Sequence, residues 1–131
     1  MFINKVKLMI DFKNNSYIKL KSDEEYKNKV NLLLIEGEYC ISSFRALRDG
    51  VVFTNKRIIA VNTKGLTGKK KDFSSLPYKN IVAYSIETSG TFDVVCDLEL
   101  CFSSLGKVKF EFDYGVDIIQ ISKEISRVVF S

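Results

Sequence analysis

Histidine and tryptophan are absent from the 131 residues, proline occurs once and cysteine three times. Each shortage removes a class of function. Without histidine the commonest proton shuttle is missing, and a Ser or Cys nucleophile has no imidazole base. Metal ligation would rest on carboxylates, and no EF-hand loop is present. Cys40, Cys96 and Cys101 are odd in number and form no C-x-x-C pair, which argues against a disulfide framework and a zinc site. They read as small buried thiols in a reducing cytoplasm. One proline and seven glycines exclude low-complexity and collagen-like chains. No stretch approaches the roughly 18 apolar residues of a membrane span. The opening "MFINKVKLMIDFKNN" is broken by Asn4, Lys5, Lys7 and Asp11, so no secretory signal is expected.

What is present suits one soluble globular domain: 46% hydrophobic residues, 27% charged, ten Phe and six Tyr to fill a core. The net charge of +4 is uneven. Residues 56–79 carry seven basic side chains against one acidic, and residues 80–131 carry four against eight. Such asymmetry suits an anionic partner, or self-association of basic and acidic faces.

The first 21 residues show no sustained period and read as an appendage, with a short strand at "SYIKLK". Ser22 and Glu25 form a Ser-x-x-Glu capping box, and Tyr26, Val30, Leu33 and Leu34 follow at helical spacing, ending before Gly37. The period then becomes two. "EYCISSFRALR" reads as a strand, Asp49-Gly50 as a tight hairpin turn, and "VVFT" and "RIIAV" as strands parted by Asn55-Lys56. "KDFSSL" and "NIVAYSIE" flank Pro77, which belongs at a strand start or edge. Leu98, Leu100 and Phe102 share one face of "DLELCF", and Val108, Phe110 and Phe112 alternate with charges in "KVKFEFD". With "SSLG" between them, these make an antiparallel hairpin. From Val116 the period is helical again, with Ile118, Ile121, Ile125 and Val128 on one stripe and Asp117 in the first turn. The connections are too short for repeated parallel crossovers. The expectation is a mainly β chain with flanking helices (α+β): about seven antiparallel strands in a small barrel, capped by a C-terminal helix, with an extra helix at the N-terminal side.

Six stretches, in order, add to this: "LLLIEGE" (Leu32–Glu38), "RDGVVFTNKRIIAV" (Arg48–Val61), "GLTGKK" (Gly65–Lys70), "LPYKNI" (Leu76–Ile81), "ETSGTFD" (Glu87–Asp93) and "GVDI" (Gly115–Ile118). Together they resemble the bacterial pleckstrin-homology-like (PH-like) domain family over residues 22–130, which divides the chain into an appendage, 1–21, and a PH-like domain, 22–131. The chain departs from the family's pattern at Val95, where an acidic residue is usual. The resemblance implies the PH fold and small cytoplasmic domains that assemble into rings of identical subunits. It implies no enzyme activity, no cofactor and no agreed lipid ligand.

Three segments invite functional readings. "KGLTGKKKDF" (Lys64–Phe73) is not a P-loop: its glycines are too close, Lys70 stands where the hydroxyl residue should, and a strand follows instead of a helix. Nor is "GLTG" a KH-type clamp, which joins two helices. What remains is a cationic lip of Lys64, Lys69, Lys70 and Lys71, extended by Lys56 and Arg57 if the turns lie close together. The alternative is a solubilising hairpin whose lysines discourage edge pairing. In "FTNKR", Arg57 is expected to pair with an acid such as Asp49 or Glu87. In "ETSGTFD", Glu87 and Asp93 could form a carboxylate pair, but a turn with Ser and Thr bonded to backbone explains the segment. The aromatics alternate as core positions, and no RNP-like motif appears, so nucleic acid is not expected as a partner. The reading is a non-enzymatic binding or scaffold module that forms a homo-oligomer, with other proteins as further partners. Its alternative is binding of an anionic membrane surface or ligand through Lys64–Lys71.

Overall fold

The computed structural model describes residues 17–92 and 94–131. Eight strands and two α-helices follow in the order β1 (Lys21–Ser22), α1 (Glu25–Val30), β2 (Cys40–Ala46), β3 (Asp49–Thr54), β4 (Arg57–Lys64), β5 (Lys70–Pro77), β6 (Ile81–Thr88), β7 (Cys96–Phe102), β8 (Gly106–Phe112) and α2 (Ile118–Val129). Short 3-10 turns follow α1 at Asn31–Leu33 and β5 at Tyr78–Asn80. Strands β1-β2-β3-β4-β5 form one antiparallel sheet and β6-β7-β8 a second.

The alternation seen in the sequence decides which faces meet. Leu98, Leu100, Val108, Phe110 and Phe112 from the small sheet pack on Phe44, Val51, Phe53, Ile58 and Ala60 from the large one. Four phenylalanines form the centre, with ring centroids 5.0 Å apart for Phe44–Phe112 and 5.6 Å for Phe53–Phe110, edge to face. Ile118, Ile121 and Ile125 of α2 close one end of this core. Each isoleucine removed from water contributes about 2 kcal/mol. Asp117 caps α2 by accepting from the Gln120 amide at 3.1 Å.

The fold is thus mainly β with a closing helix, as expected, but the sheets form a sandwich and not a closed barrel. At Pro77 the chain leaves β5 through the 3-10 turn, and no hydrogen-bonded ladder joins β5 to β6 among the described residues. At the other corner Leu20 bridges Phe112 in parallel, with the Leu20 amide donating to Glu111 O at 2.9 Å and Asp113 to Leu20 O at 3.0 Å. Tyr17 and Leu20, which fall in the segment read as an appendage, lie buried in the main core, and Lys21 and Ser22 form β1.

Two local expectations are corrected. Ser22 does not cap α1: it pairs with Phe44 across β1–β2, and Asp23 accepts from the Glu25 amide instead. Nor do Asp49 and Gly50 turn the hairpin. They pair with Ala46 and Arg45 as the start of β3, and Leu47-Arg48 makes the turn, with Leu47 at φ +53°. Gly50 serves packing. A Cβ there would sit 2.3 Å from the Tyr26 ring, so the missing side chain is what lets α1 lie on the sheet. Tyr26 and Val30 thereby cover Val52, Ile59 and Val61 on the outer face, which is why β3 is apolar on both sides.

Candidate functional site

Strand β4 carries the predicted cations at opposite ends. Seven residues at about 3.3 Å each put Arg57 roughly 23 Å from Lys64. The structure therefore does not bring Lys56 and Arg57 to the lysine loop.

At the far end, Lys64 pairs with Lys70 and Thr63 with Lys71 as the β4–β5 hairpin closes through Gly65 (φ +80°) and Gly68 (φ +69°). Positive φ at these two positions is what the turn needs glycine for. The neighbouring β2–β3 turn is clasped to this tip. Arg48 donates from a guanidinium nitrogen to Gly65 O at 2.5 Å, and the Thr63 hydroxyl donates to Arg48 O at 2.7 Å. The Thr63 amide donates to Asp49 Oδ1 at 2.9 Å. Lys71 Nζ reaches Gly68 O at 3.3 Å. Among the described residues, Arg48, Lys64, Lys69, Lys70 and Lys71 form no ion pair. These groups are concentrated positive charge on two hairpin tips joined by hydrogen bonds. Arg48 escaped the sequence reading because it lies outside the lysine run; only the register of two hairpins brings it in.

Arg57 is caged. Its Nε donates to Glu38 Oε2 at 2.9 Å and one terminal nitrogen to Glu38 Oε1 at 3.0 Å, a bidentate pair. The same guanidinium reaches Leu33 O at 2.6 Å and Ser75 Oγ at 3.0 Å. Its expected partners, Asp49 and Glu87, are not the acid it meets; Glu38 is, from the segment between α1 and β2. Glu38 also accepts from the Thr54 hydroxyl at 2.7 Å and the Ile35 amide at 3.1 Å. Its side chain is 0% exposed and that of Arg57 21%. Burial, the largest single influence, would raise the Glu38 carboxyl. The hydrogen bonds from Arg57, Thr54 and the Ile35 amide together outweigh it and hold the group below the usual carboxylate range. Such a cage fixes structure and leaves little of the guanidinium for a ligand. Lys56 is exposed beside it, on a groove of about 440 Å³ that Ile35, Pro77, Lys79 and Val128 also line.

The third segment is a turn: the Thr88 hydroxyl donates to Thr91 O at 2.5 Å and accepts from the Gly90 amide at 3.3 Å. The Glu87–Asp93 pairing falls on Asp93, outside the described residues. Cys40, Cys96 and Cys101 are free thiols, and burial pushes the Cys40 thiol up, away from the reactive thiolate. Among the described residues, no three His, Cys, Asp or Glu side chains lie grouped as a metal site would need, and no helix is long and apolar enough to cross a membrane.

The described residues thus form a two-sheet sandwich closed by a C-terminal helix, with the Arg57 cage and the lysine tip at opposite ends of one strand. A family model for the bacterial PH domain matches residues 9–129, and the chain belongs to that family. Two Bacillus subtilis (strain 168) proteins, YjqA and YozO, both uncharacterized, are similar to it. YjqA is 41% identical over 98 residues, 73% of this chain and 78% of the relative; YozO is 38% identical over 89 residues, 68% and 75%. Among solved structures, a DUF1696 family protein with a pleckstrin-homology domain from Shewanella loihica PV-4 has a TM-score of 0.68 at 33% identity, covering 85% of this chain and 96% of that one. A pleckstrin homology domain from Shewanella amazonensis SB2B has a TM-score of 0.58 at 31% identity, covering 100% of both chains.

Proposed function

We propose that the chain is a non-enzymatic scaffold module that assembles with copies of itself through the open edges of β5 and β6. The observation that carries this reading is the match between the two edges. Each strand has eight residues and is the last in its sheet. Laid antiparallel across two copies, Lys70 faces Thr88 and Pro77 faces Ile81 at the ends. On the outer face, Lys71 then meets Glu87 of the second copy, Phe73 meets Ser85, and Ser75 meets Ala83. All six are exposed on their own chain.

An unpaired edge is a template for strand addition, and opposite charges directly across add specificity. Two different edges in contact give a head-to-tail arrangement, which closes into a ring when the rotation per copy divides a full turn. Strand β5 carries Lys70 and Lys71 against Asp72, a net positive edge, and Glu87 is the one charged residue of β6. The three free thiols suit a reducing compartment, the cytoplasm.

Light scattering at micromolar protein tests the reading. A mass that is a multiple of 15.0 kDa is expected; a monomeric mass sinks it. Lys71→Glu and Glu87→Lys should each lower the mass, and the two together should restore it. If the double variant stays monomeric, the register is not this one.

A further inference from the structure

The groove beside Arg57 brings together apolar side chains that the core leaves out and cations that no acid answers. Its volume, about 440 Å³, lies in the range of small-molecule sites. Four parts of the chain build it: the segment between α1 and β2, the β3–β4 turn, the end of β5 with the 3-10 turn after it, and the last turn of α2. The first supplies Ile35, which is 61% exposed while its neighbour Leu34 packs against the Tyr26–Val30 cluster. Pro77 and Val128 complete the apolar lining from β5 and α2. Lys56 and Lys79 stand on the same groove, both exposed and neither in an ion pair among the described residues. The other polar groups of the lining are already bonded. Arg57 and Glu38 neutralise each other, and Ser75 Oγ accepts from Arg57 at 3.0 Å. The Asn55 side chain accepts from the Tyr39 amide at 2.9 Å and donates to Gly37 O at 3.1 Å. What the groove has left to offer is apolar surface and net positive charge.

We propose that this groove binds a small aromatic monocarboxylate, its ring against Ile35, Pro77 and Val128 and its carboxylate facing the ammonium groups of Lys56 and Lys79. The apolar side chains gain by covering a ring, and two point charges suit one compact anion. A phosphate ester is the poorer match: it favours a guanidinium fork, and the one guanidinium here is taken up by Glu38. A ring buries much area with few rotatable bonds, which suits a groove open to solvent better than a flexible alkyl chain does. A free aryl acid and the C-terminal phenylalanine of a peptide present the same ring and carboxylate. The two lysines, Ile35 and Val128 lie outside β5 and β6, so the site does not rest on the assembly reading; Ser75 and Pro77 serve both.

Ligand-observed saturation-transfer NMR on the full chain tests this at any assembly size. Phenylbutyrate should bind with a dissociation constant of about 1 mM or tighter. Phenylbutanol, which lacks the charge, should bind about fivefold more weakly, and butyrate, which lacks the ring, about tenfold or more. The peptide acetyl-Ala-Ala-Phe, as free acid and as amide, separates the two sources. Binding of phenylbutyrate alone assigns a free acid, tighter binding of the peptide acid assigns a chain terminus, and binding of neither overturns the proposal. Lys56→Gln with Lys79→Gln should weaken phenylbutyrate about fivefold, and Ile35→Ser about threefold. All three side chains are exposed, so the variants fold, and their melting curves verify this. Variants that bind like the parent overturn the proposal, as does phenyl phosphate that binds more tightly than phenylbutyrate. The variants should keep the parent's mass by light scattering. A parent that is monomeric yet binds phenylbutyrate loses the assembly reading and keeps this one.

Discussion

Arg57 and Lys64 begin and end the same strand, yet the two ends use positive charge in opposite ways. At the Arg57 end one cation meets both oxygens of a buried carboxylate and two further acceptor atoms, and the neighbouring backbone is organised around it. At the Lys64 end Arg48 and Lys71 touch backbone carbonyls, and none of the cations meets an acid among the described residues. The difference teaches that a cluster of basic residues in the sequence is not one site. Charge that the fold has consumed stabilises; charge left over is available to a partner.

The largest expected effect that sharpens this contrast is at Glu38. Glu38→Ala strands the Arg57 guanidinium and removes the acceptor for Thr54 and Ile35. Breaking a largely buried pair from one side should cost about 3 kcal/mol, seen as a lower urea midpoint with unchanged slope. A loss below about 1 kcal/mol would make the cage a surface ion pair, and the contrast between the ends would fail.

Acid should erase part of this contribution. Since the carboxyl of Glu38 is held below its ordinary value, its stabilisation is complete at neutral pH, above the unfolded value near 4.3, and is lost as pH falls through the folded value. Glu38→Gln has no such proton to take up. Its urea midpoint should therefore fall less than the parent's between pH 7 and pH 3, and parallel profiles would show that Glu38 is not held low.

How much of this was legible in the sequence depends on the range of the interactions. The β7–β8 hairpin and α2 were plain, because alternation in "DLELCF" and "KVKFEF" and the Ile118–Ile121–Ile125 stripe each record one local face turned to one core. Misreadings arose where a residue answers to something distant. Ser22 looks like a cap until Phe44 takes it into a strand, and Gly50 looks like a turn until the Tyr26 ring arrives above it. The six predicted site cations could be named, but not sorted, since Arg57 and Glu38 lie 19 residues apart and a sequence does not show which charges meet. Leu47 and Leu66 gave no signal at all: an isolated leucine is ordinary in sequence and becomes unusual only through its exposure and backbone.

Leu47 also gives a smaller, opposite effect at the free end. A leucine in the left-handed region costs about 1–2 kcal/mol relative to an ordinary conformation, and asparagine relieves part of that. Leu47→Asn should raise stability by up to about 1 kcal/mol in urea denaturation, since little packing is lost from a side chain this exposed. A destabilised Leu47→Asn would mean that the leucine packs against the fold in solution despite its exposure.

The smallest expected change is the most exacting test of the contrast. Lys64→Ala, Lys69→Ala and Lys70→Ala together remove three charges within seven residues, but no ion pair among the described residues is lost. Lys64 and Lys70 stand directly opposite across the β4–β5 ladder, where like charges repel by a few tenths of a kcal/mol. Their removal relieves that repulsion, while alanine fits the strand slightly less well than lysine fits an exposed edge. The two terms oppose each other, so the urea midpoint should stay within about 0.5 kcal/mol of the parent. A loss beyond about 1 kcal/mol would place these lysines in the structural class with Arg57, because only a fold that had already spent their charge could miss it.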